Sequence, residues 1–218
     1  MAIRTRRSPT ALPDVIPVFP LEGALLLPRG QIPLNVFEPR YLAMVDDALA
    51  GRRIIGVIQP EEDADGESPQ LRSVGCAGRI TGFSETDDGR YLITLTGVVR
   101  FRVLEEVPTR TAYRVCRVTA DPFRSDFDVA GEADVDREQL LGAFRAYLAA
   151  HDLEADWDSV ARASNESLVN GMAMLSPYGP AEKQALLEAP DLKTRAETLV
   201  ALTEVTLARE AGGRGALQ

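Results

Sequence analysis

Histidine is almost missing from this chain: its 218 residues hold one, His151. No site built on two histidines can form, and a single imidazole serves as a catalytic base only beside a nucleophile such as Cys76, Cys116 or a serine. Its place at the end of "GAFRAYLAAH" reads instead as a helix carboxyl end, where a charged ring is favoured. Lysine is scarce too, with only Lys183 and Lys193. A Ser–Lys dyad would have to join Lys183 to Ser176, and Lys183 is expected on a solvent-facing helix surface. Two cysteines are too few for a disulfide scaffold, and no C-x-x-C occurs. Each sits in a strand-like run, as a small buried hydrophobe does, so a reducing, cytoplasmic setting is the expectation.

Long apolar runs are absent as well. None approaches the roughly 20 residues that span a bilayer, so no membrane association is expected. The opening "MAIRTRRSPTALPD" has charge but no apolar stretch behind it. It reads as a flexible tail over residues 1–13, not as a secretory or twin-arginine signal. The phosphate-cradling G-x-x-x-x-G-K-[ST] and G-x-G-x-x-G are missing, as is the nucleophile elbow G-x-S-x-G. No cofactor is expected.

A basic excess is lacking too. The net charge is −9, and residues 1–120 balance 15 acids against 15 arginines. Residues 121–170 hold 12 acids against 4 bases, and residues 171–218 hold 6 against 5. Nucleic-acid binding needs a basic face that displaces counterions from phosphates, so RNA is kept only as the alternative partner. Asp126, Asp128, Asp134 and Asp136 lack the calcium-loop pattern D-x-[DN]-x-[DN]-G. They read as a solvated acidic connector, residues 121–134, with no metal site.

What is present divides in two. Residues 14–120 read as strands: Val15–Phe19, Ala24–Leu27, Leu34–Phe37 and Ile54–Gln59 are short apolar runs, most of them bounded by proline or glycine. One helix interrupts them. Pro39 suits its first position, which forces Glu38 to be extended. Leu42, Val45 and Leu49 give it one apolar face, and Gly51 is placed to end it in a left-handed conformation. The polar stretch "EEDADGES", Glu61–Ser68, reads as a loop. A long hairpin then turns at Thr86-Asp87-Asp88-Gly89, and its second strand carries Gly97 in an apolar row, the mark of a bend. Tyr113–Thr119 is one more strand.

Residues 135–210 read as helices. Leu140, Leu141, Phe144, Tyr147, Leu148 and His151 share one face, and Trp157, Val160, Leu168, Val169 and Met172 continue the apolar pattern. Asp191 can cap a last helix, and residues 211–218 read as a frayed tail. The fold class is therefore α+β.

Arg100 and Arg102 share the polar parity of the hairpin strand. They read as an outward row, a contact surface for acidic groups, or a latch in which Arg100 grips the carboxylate of Glu38.

These residues have a resemblance. Val18-Phe19-Pro20-Leu21, Leu27-Pro28, Pro33-Leu34 and Phe37-Glu38-Pro39-Arg40-Tyr41 are similar to the opening of the amino-terminal domain of the ATP-dependent protease Lon. Val74–Ile80, Gly97–Val103 and Ser176–Glu188 ("SPYGPAEKQALLE") resemble its glycine-led strand, its G-x-x-R-F segment and its E-K-Q-x-L-L-E turn and helix. The resemblance covers most of residues 15–205 in order. It implies a small curled, PUA-like β barrel followed by an all-α helical subdomain. It also implies substrate recognition without catalysis, because the ATPase and Ser–Lys protease modules of Lon are not in these 218 residues. The same domain occurs in the ubiquitin-ligase adaptor cereblon.

On this reading Phe37 to Tyr41 form a structural corner, in which Phe37 and Tyr41 pack and Glu38 pairs with Arg40. The expected function is a non-enzymatic protein- or peptide-binding module, with a role as an adaptor for proteolysis or protein quality control as one form of it and an RNA-binding PUA-like module as the alternative. Its partners are unfolded or extended polypeptides, or a protease and its substrates. The expected seat is a groove between barrel and helices, with Arg100, Arg102 and Tyr178 as candidate contacts.

Overall fold

The barrel closes because one strand is long enough to serve two neighbours on the same edge. The computed structural model describes residues 12–61, 69–128 and 131–215. Its strands are β1 (Val15–Pro20), β2 (Gln31–Val36), β3 (Ile54–Pro60), β4 (Leu71–Glu85), β5 (Tyr91–Glu106) and β6 (Arg114–Thr119). The first half of β5 pairs with β2 from Gln31↔Thr96 to Val36↔Tyr91. Its second half pairs with β6 from Arg102↔Thr119 to Glu106↔Cys116. Its other edge runs along β4. β3 links β4 to β1, the latter in parallel, and β1 returns to β6. The ring is thus β5–β4–β3–β1–β6, with β2 as a flap on β5.

The bend falls at Gly97. Ala77 faces Val99 and Gly78 faces Gly97, which leaves Val98 as the extra residue of a bulge. A Cβ on Gly97 would lie 2.0 Å from the carbonyl oxygen of Leu27, so only glycine lets the 24–30 segment approach. That segment is held there: Arg29 N–H donates to Gly97 O and Gly97 N–H to Gly30 O, each at 2.8 Å. Ala24–Leu27 is consequently not a strand, against expectation. Leu25, Leu26 and Leu27 are buried as a plug that pairs with no ladder. Apolar runs of this length do not distinguish a strand from a buried loop.

Helix α1 (Pro39–Ala50) begins as its sequence requires, with Pro39 in its first turn and Glu38 extended at φ −72° and ψ 133°. Its buried face is Tyr41, Met44, Val45 and Ala48; Leu42 and Leu49 flank it, half-buried. Gly51 does not take the left-handed conformation. Arg53 does, at φ 59°, where its N–H reaches Ala48 O at 2.8 Å. Tyr41 stacks on Phe19 with ring centroids 4.2 Å apart. Phe37 does not pack: it is 61% exposed, with the Arg90 guanidinium 5.9 Å from its ring. Glu38 and Arg40 form an ion pair at 2.8 Å.

The 121–134 segment is not simply a solvated connector. Asp121–Phe127 is a kinked 3₁₀ segment lying on β5, with Phe123 and Asp126 buried. Glu132–Asp134 is a second short turn, and the Glu132 carboxylate receives the N–H groups of Asn165 and Glu166. The helices are α2 (Arg137–Ala150), α3 (Trp157–Arg162), α4 (Asn165–Leu175), α5 (Pro180–Glu188) and α6 (Leu192–Gly215). Asp136, Asp156, Ser164 and Asp191 cap α2, α3, α4 and α6 by accepting backbone N–H groups. α6 reaches Gly215, so the stretch read as a frayed tail is helical over residues 211–215 and only 216–218 lie outside the described residues. Most of the expected amino-terminal tail (residues 1–11) and most of the 61–68 loop (residues 62–68) also lie outside them. Leu12 is half-buried against the core.

Candidate functional site

Three sets of polar contacts, the first two largely buried and the third at the surface, join barrel to helices and so build the seam between them. In the first, Arg100 is 2% exposed. Its backbone N–H and Nε donate to Asp126 Oδ2 at 2.9 Å, and its Nη2 to Oδ1 at 2.8 Å. Its Nη1 donates to the carbonyls of Leu187 and Ala189 at the end of α5, and Phe123 lies under the guanidinium. Arg100 is therefore neither an outward residue nor the partner of Glu38. Both readings fail because the 3₁₀ segment and the end of α5 cover β5 at Arg100. As a peptide contact Arg100 is unavailable, since its charge is already matched.

Beside it, Arg195 of α6 donates to Leu186 O at 2.9 Å and to Asn170 Oδ1 at 3.3 Å. Burial and then the Arg100 charge pull its pKa down to about 10. Asn170 in turn donates to Pro28 O at 3.2 Å.

The second set uses the E-K-Q element. Gln59 Nε2 donates to Pro180 O and to Gln184 Oε1, while its Oε1 accepts the N–H of Gly23 at 3.1 Å. Gln184 donates to Val74 O at 3.2 Å. Lys183 does not face solvent as expected. Its ammonium donates to Gly23 O at 2.8 Å, and partial burial lowers its pKa. Third, Arg29 forms a forked ion pair with Glu166 of α4 and donates to Asp126 O at 2.6 Å. The Glu166 hydrogen bond raises the Arg29 pKa against the effect of burial.

Above these contacts lies a groove of about 470 Å³ between the 23–33 segment and α4. Leu25, Pro28, Ile32, Asn170, Met174 and Leu175 line it, with the Arg29–Glu166 pair at its rim. A second groove of about 400 Å³ lies on the other side of α4, lined by Phe144, Leu153, Val160, Leu168, Met172 and Leu175 among others. Ser167, Gly171 and Leu175 border both. Leu168, Met172 and Leu175 form one i, i+4, i+7 stripe of α4. The stripe starts buried at Leu168 and ends at Leu175, which is 87% exposed. An apolar residue at that spacing normally faces a core; here the stripe outruns the core and enters open space.

The three predicted contacts are not brought together. Arg100 is buried in the seam, Arg102 is exposed on β5 outside both grooves, and Tyr178 is half-buried with its hydroxyl 2.8 Å from Thr203 Oγ1. Thr203 lines the second groove, so Tyr178 supports its wall. Sequence reading missed Asp126, Asn170, Arg195 and Leu175. Asp126 gave no separate signal among so many acids, but Leu175 was visible as the continuation of the Leu168–Met172 stripe.

Other reactive groups stay apart. His151 ends α2 against Tyr147, with Nε2 3.5 Å from Glu210 Oε2. Cys76 and Cys116 are buried thiols whose pKa values desolvation pushes up to about 12 and about 11. Among the described residues, no three of His, Cys, Asp and Glu gather in metal-ligating geometry, and no helix is long and apolar enough to cross a membrane.

The fold and grooves define the class: a curled, PUA-like β barrel carrying a helical subdomain, with one groove between them and a second, apolar groove among the helices. The chain belongs to the ATP-dependent protease La (LON) substrate-binding domain family, whose model matches residues 15–204. It is 30% identical over 212 residues to Lon protease 2 of Sorangium cellulosum, covering 91% of this chain and 25% of that protein. It is 27% identical over 200 residues to the Lon protease of Anaeromyxobacter dehalogenans, covering 88% and 23%. The chain thus spans about a quarter of the length of these curated relatives. Among solved structures, the Lon N-terminal domain protein from Xanthomonas campestris superimposes with a TM-score of 0.63 at 26% identity, covering 86% of this chain and 97% of that one. The N-terminal domain of the Mycobacterium avium complex Lon protease gives 0.65 at 19% identity, covering 87% and 98%, a likeness of fold.

Proposed function

We propose that this chain is a non-enzymatic recognition module that seats exposed apolar or extended segments of other polypeptides along the seam between barrel and helices, as an adaptor for proteolysis or protein quality control. One observation carries the reading. Leu175 stands 87% exposed between two grooves that together run from the 23–33 segment across α4 to α2. A large apolar side chain held out at a ridge between two concave surfaces is the arrangement that protein contacts cover. The family supports it, since its description is that of a substrate-binding domain. The buried seam contacts serve to hold the two walls at a constant distance, which lowers the ordering cost of binding.

The test is titration of the whole chain with reduced, alkylated lysozyme and reduced, alkylated lactalbumin, each against its folded form. Binding of an unfolded client at micromolar concentration, weakened by Leu175→Asp, is the expected result. Absence of binding below about 1 mM to either client overturns the reading, about 4 kcal/mol being the least a specific contact of this kind supplies. A single-stranded RNA titrated in parallel, bound in a salt-dependent way while both clients fail, would favour the RNA alternative.

A further inference from the structure

We infer that the groove between α2, α4 and the α2–α3 connection selects client segments in which apolar side chains are set among lysines or arginines. This rests on the recognition reading above and adds the chemistry of the client.

The walls of this groove carry no charged side chain. Its rim does. Asp152 and Glu154 flank the lining residue Leu153, itself 53% exposed, and Glu204 follows the lining residue Thr203. All three acids are exposed, and among the described residues no ion pair engages them. Two bases lie near the lining residues in the chain: Arg145, beside Phe144, with its guanidinium 4.7 Å over the Trp157 ring, and Arg162, two residues past Val160, which donates to Ser159 Oγ. The wider field has the same sign. Residues 131–211 hold 15 acids against 7 bases. Of those bases Arg195 and Lys183 are held inside the seam, and Arg137 is engaged by Asn165 and by the carbonyls of Val160 and Ala161.

The first groove differs. Of its charged lining residues, Arg29 and Glu166 neutralise one another and Lys183 is a cation. The second groove thus sets an apolar floor of about 400 Å³ beside more acids than bases. That volume takes two or three large side chains. A client that fills it with leucine or phenylalanine and flanks them with cations gains both terms; an acidic client loses the second.

The experiment uses the full chain and three fluorescent peptides of one length, with leucine and phenylalanine at the same positions and lysine, glutamine or glutamate at all others. At low salt the lysine peptide should bind about tenfold tighter than the glutamine peptide, and the glutamate peptide weakest. The preference should fall to about twofold at high salt. The variant Asp152→Asn/Glu154→Gln/Glu204→Gln changes only exposed positions and should lose most of the preference for the lysine over the glutamine peptide. Leu153→Asp should weaken all three. Equal binding of lysine and glutamine peptides to the unaltered chain, or a preference undiminished by the triple substitution, overturns the inference. If unfolded lysozyme still binds in that case, the recognition reading stands and only the charge selection falls. If no unfolded client binds, both fall.

Discussion

Arg100 on β5 and Asp126 on the 3₁₀ segment form a buried ion pair in which the carboxylate receives both the guanidinium and the backbone N–H of the same arginine. The pair fixes where the chain leaves the barrel and where α5 ends, because the remaining guanidinium donors reach Leu187 O and Ala189 O. Asp126→Ala would leave Arg100 and its neighbour Arg195 as uncompensated buried cations. A loss of about 3–5 kcal/mol in urea unfolding is expected, with a smaller loss for the apolar double replacement Arg100→Met/Asp126→Leu. A single-substitution loss under 1 kcal/mol would contradict this account.

Gln59 and Gln184 meet across the seam, and Gln59 also accepts the N–H of Gly23. Gln59→Ala leaves the Gly23 N–H without its acceptor and the Pro180 carbonyl and Gln184 Oε1 without their donor. The expected destabilisation is about 1–3 kcal/mol, read as a lower urea midpoint. Substitution of exposed Phe37 by alanine should change it by less than about 0.5 kcal/mol.

Gly97 admits the carbonyl of Leu27 where a Cβ would stand. Gly97→Ala should therefore push the 24–30 plug outward at a cost of about 1–3 kcal/mol. Because that plug forms one wall of the first groove, client binding should weaken in the same variant even where it remains folded, as circular dichroism will report.

The two thiols supply a pH prediction. Both pKa values lie above the unfolded value of 9.0, at about 12 for Cys76 and about 11 for Cys116. Between those limits the folded state binds more protons than the unfolded state, so stability falls as pH rises from about 9. Below pH 9 neither group contributes a slope. At pH 8 neither thiol should react with a thiol-specific disulfide reagent until the protein is unfolded; rapid labelling of either in the native state would refute the burial.

At the acid end, Asp191 accepts the Thr194 N–H at 2.8 Å, and that bond with the Thr194 side chain lowers its pKa. Its contribution is present above about pH 4 and is lost as pH falls through the lowered value. Asp191→Asn should keep most of the cap yet flatten that part of the acid unfolding curve. Asp191→Ala should lose about 1 kcal/mol at neutral pH.

Much of the fold was legible from local grammar. Pro39 after an extended Glu38 begins α1, Asp-Gly turns the long hairpin at Gly89, Gly97 marks the bend, and Asp191 caps α6, because each depends on backbone preferences within a few residues. Periodicity also separated a strand-rich from a helix-rich half. What periodicity could not convey was which faces the second half would cover. Ala24–Leu27 looked like a strand and is a plug; Arg100 looked outward and is among the most buried side chains; Lys183 looked solvated and grips Gly23. Each answer depends on partners 26 to 160 residues away in the chain.

The amino-acid order alone thus determined the class of fold, the starts of α1 and α6 and the scarcity of groups that make or break bonds. These follow from short-range sterics and composition. Only the tertiary structure decided that Asp126 neutralises Arg100, that the E-K-Q element ties helix to barrel, and that Leu175 emerges between two grooves. A charge or an apolar side chain has no fixed role until the folded chain sets its dielectric surroundings and its neighbours.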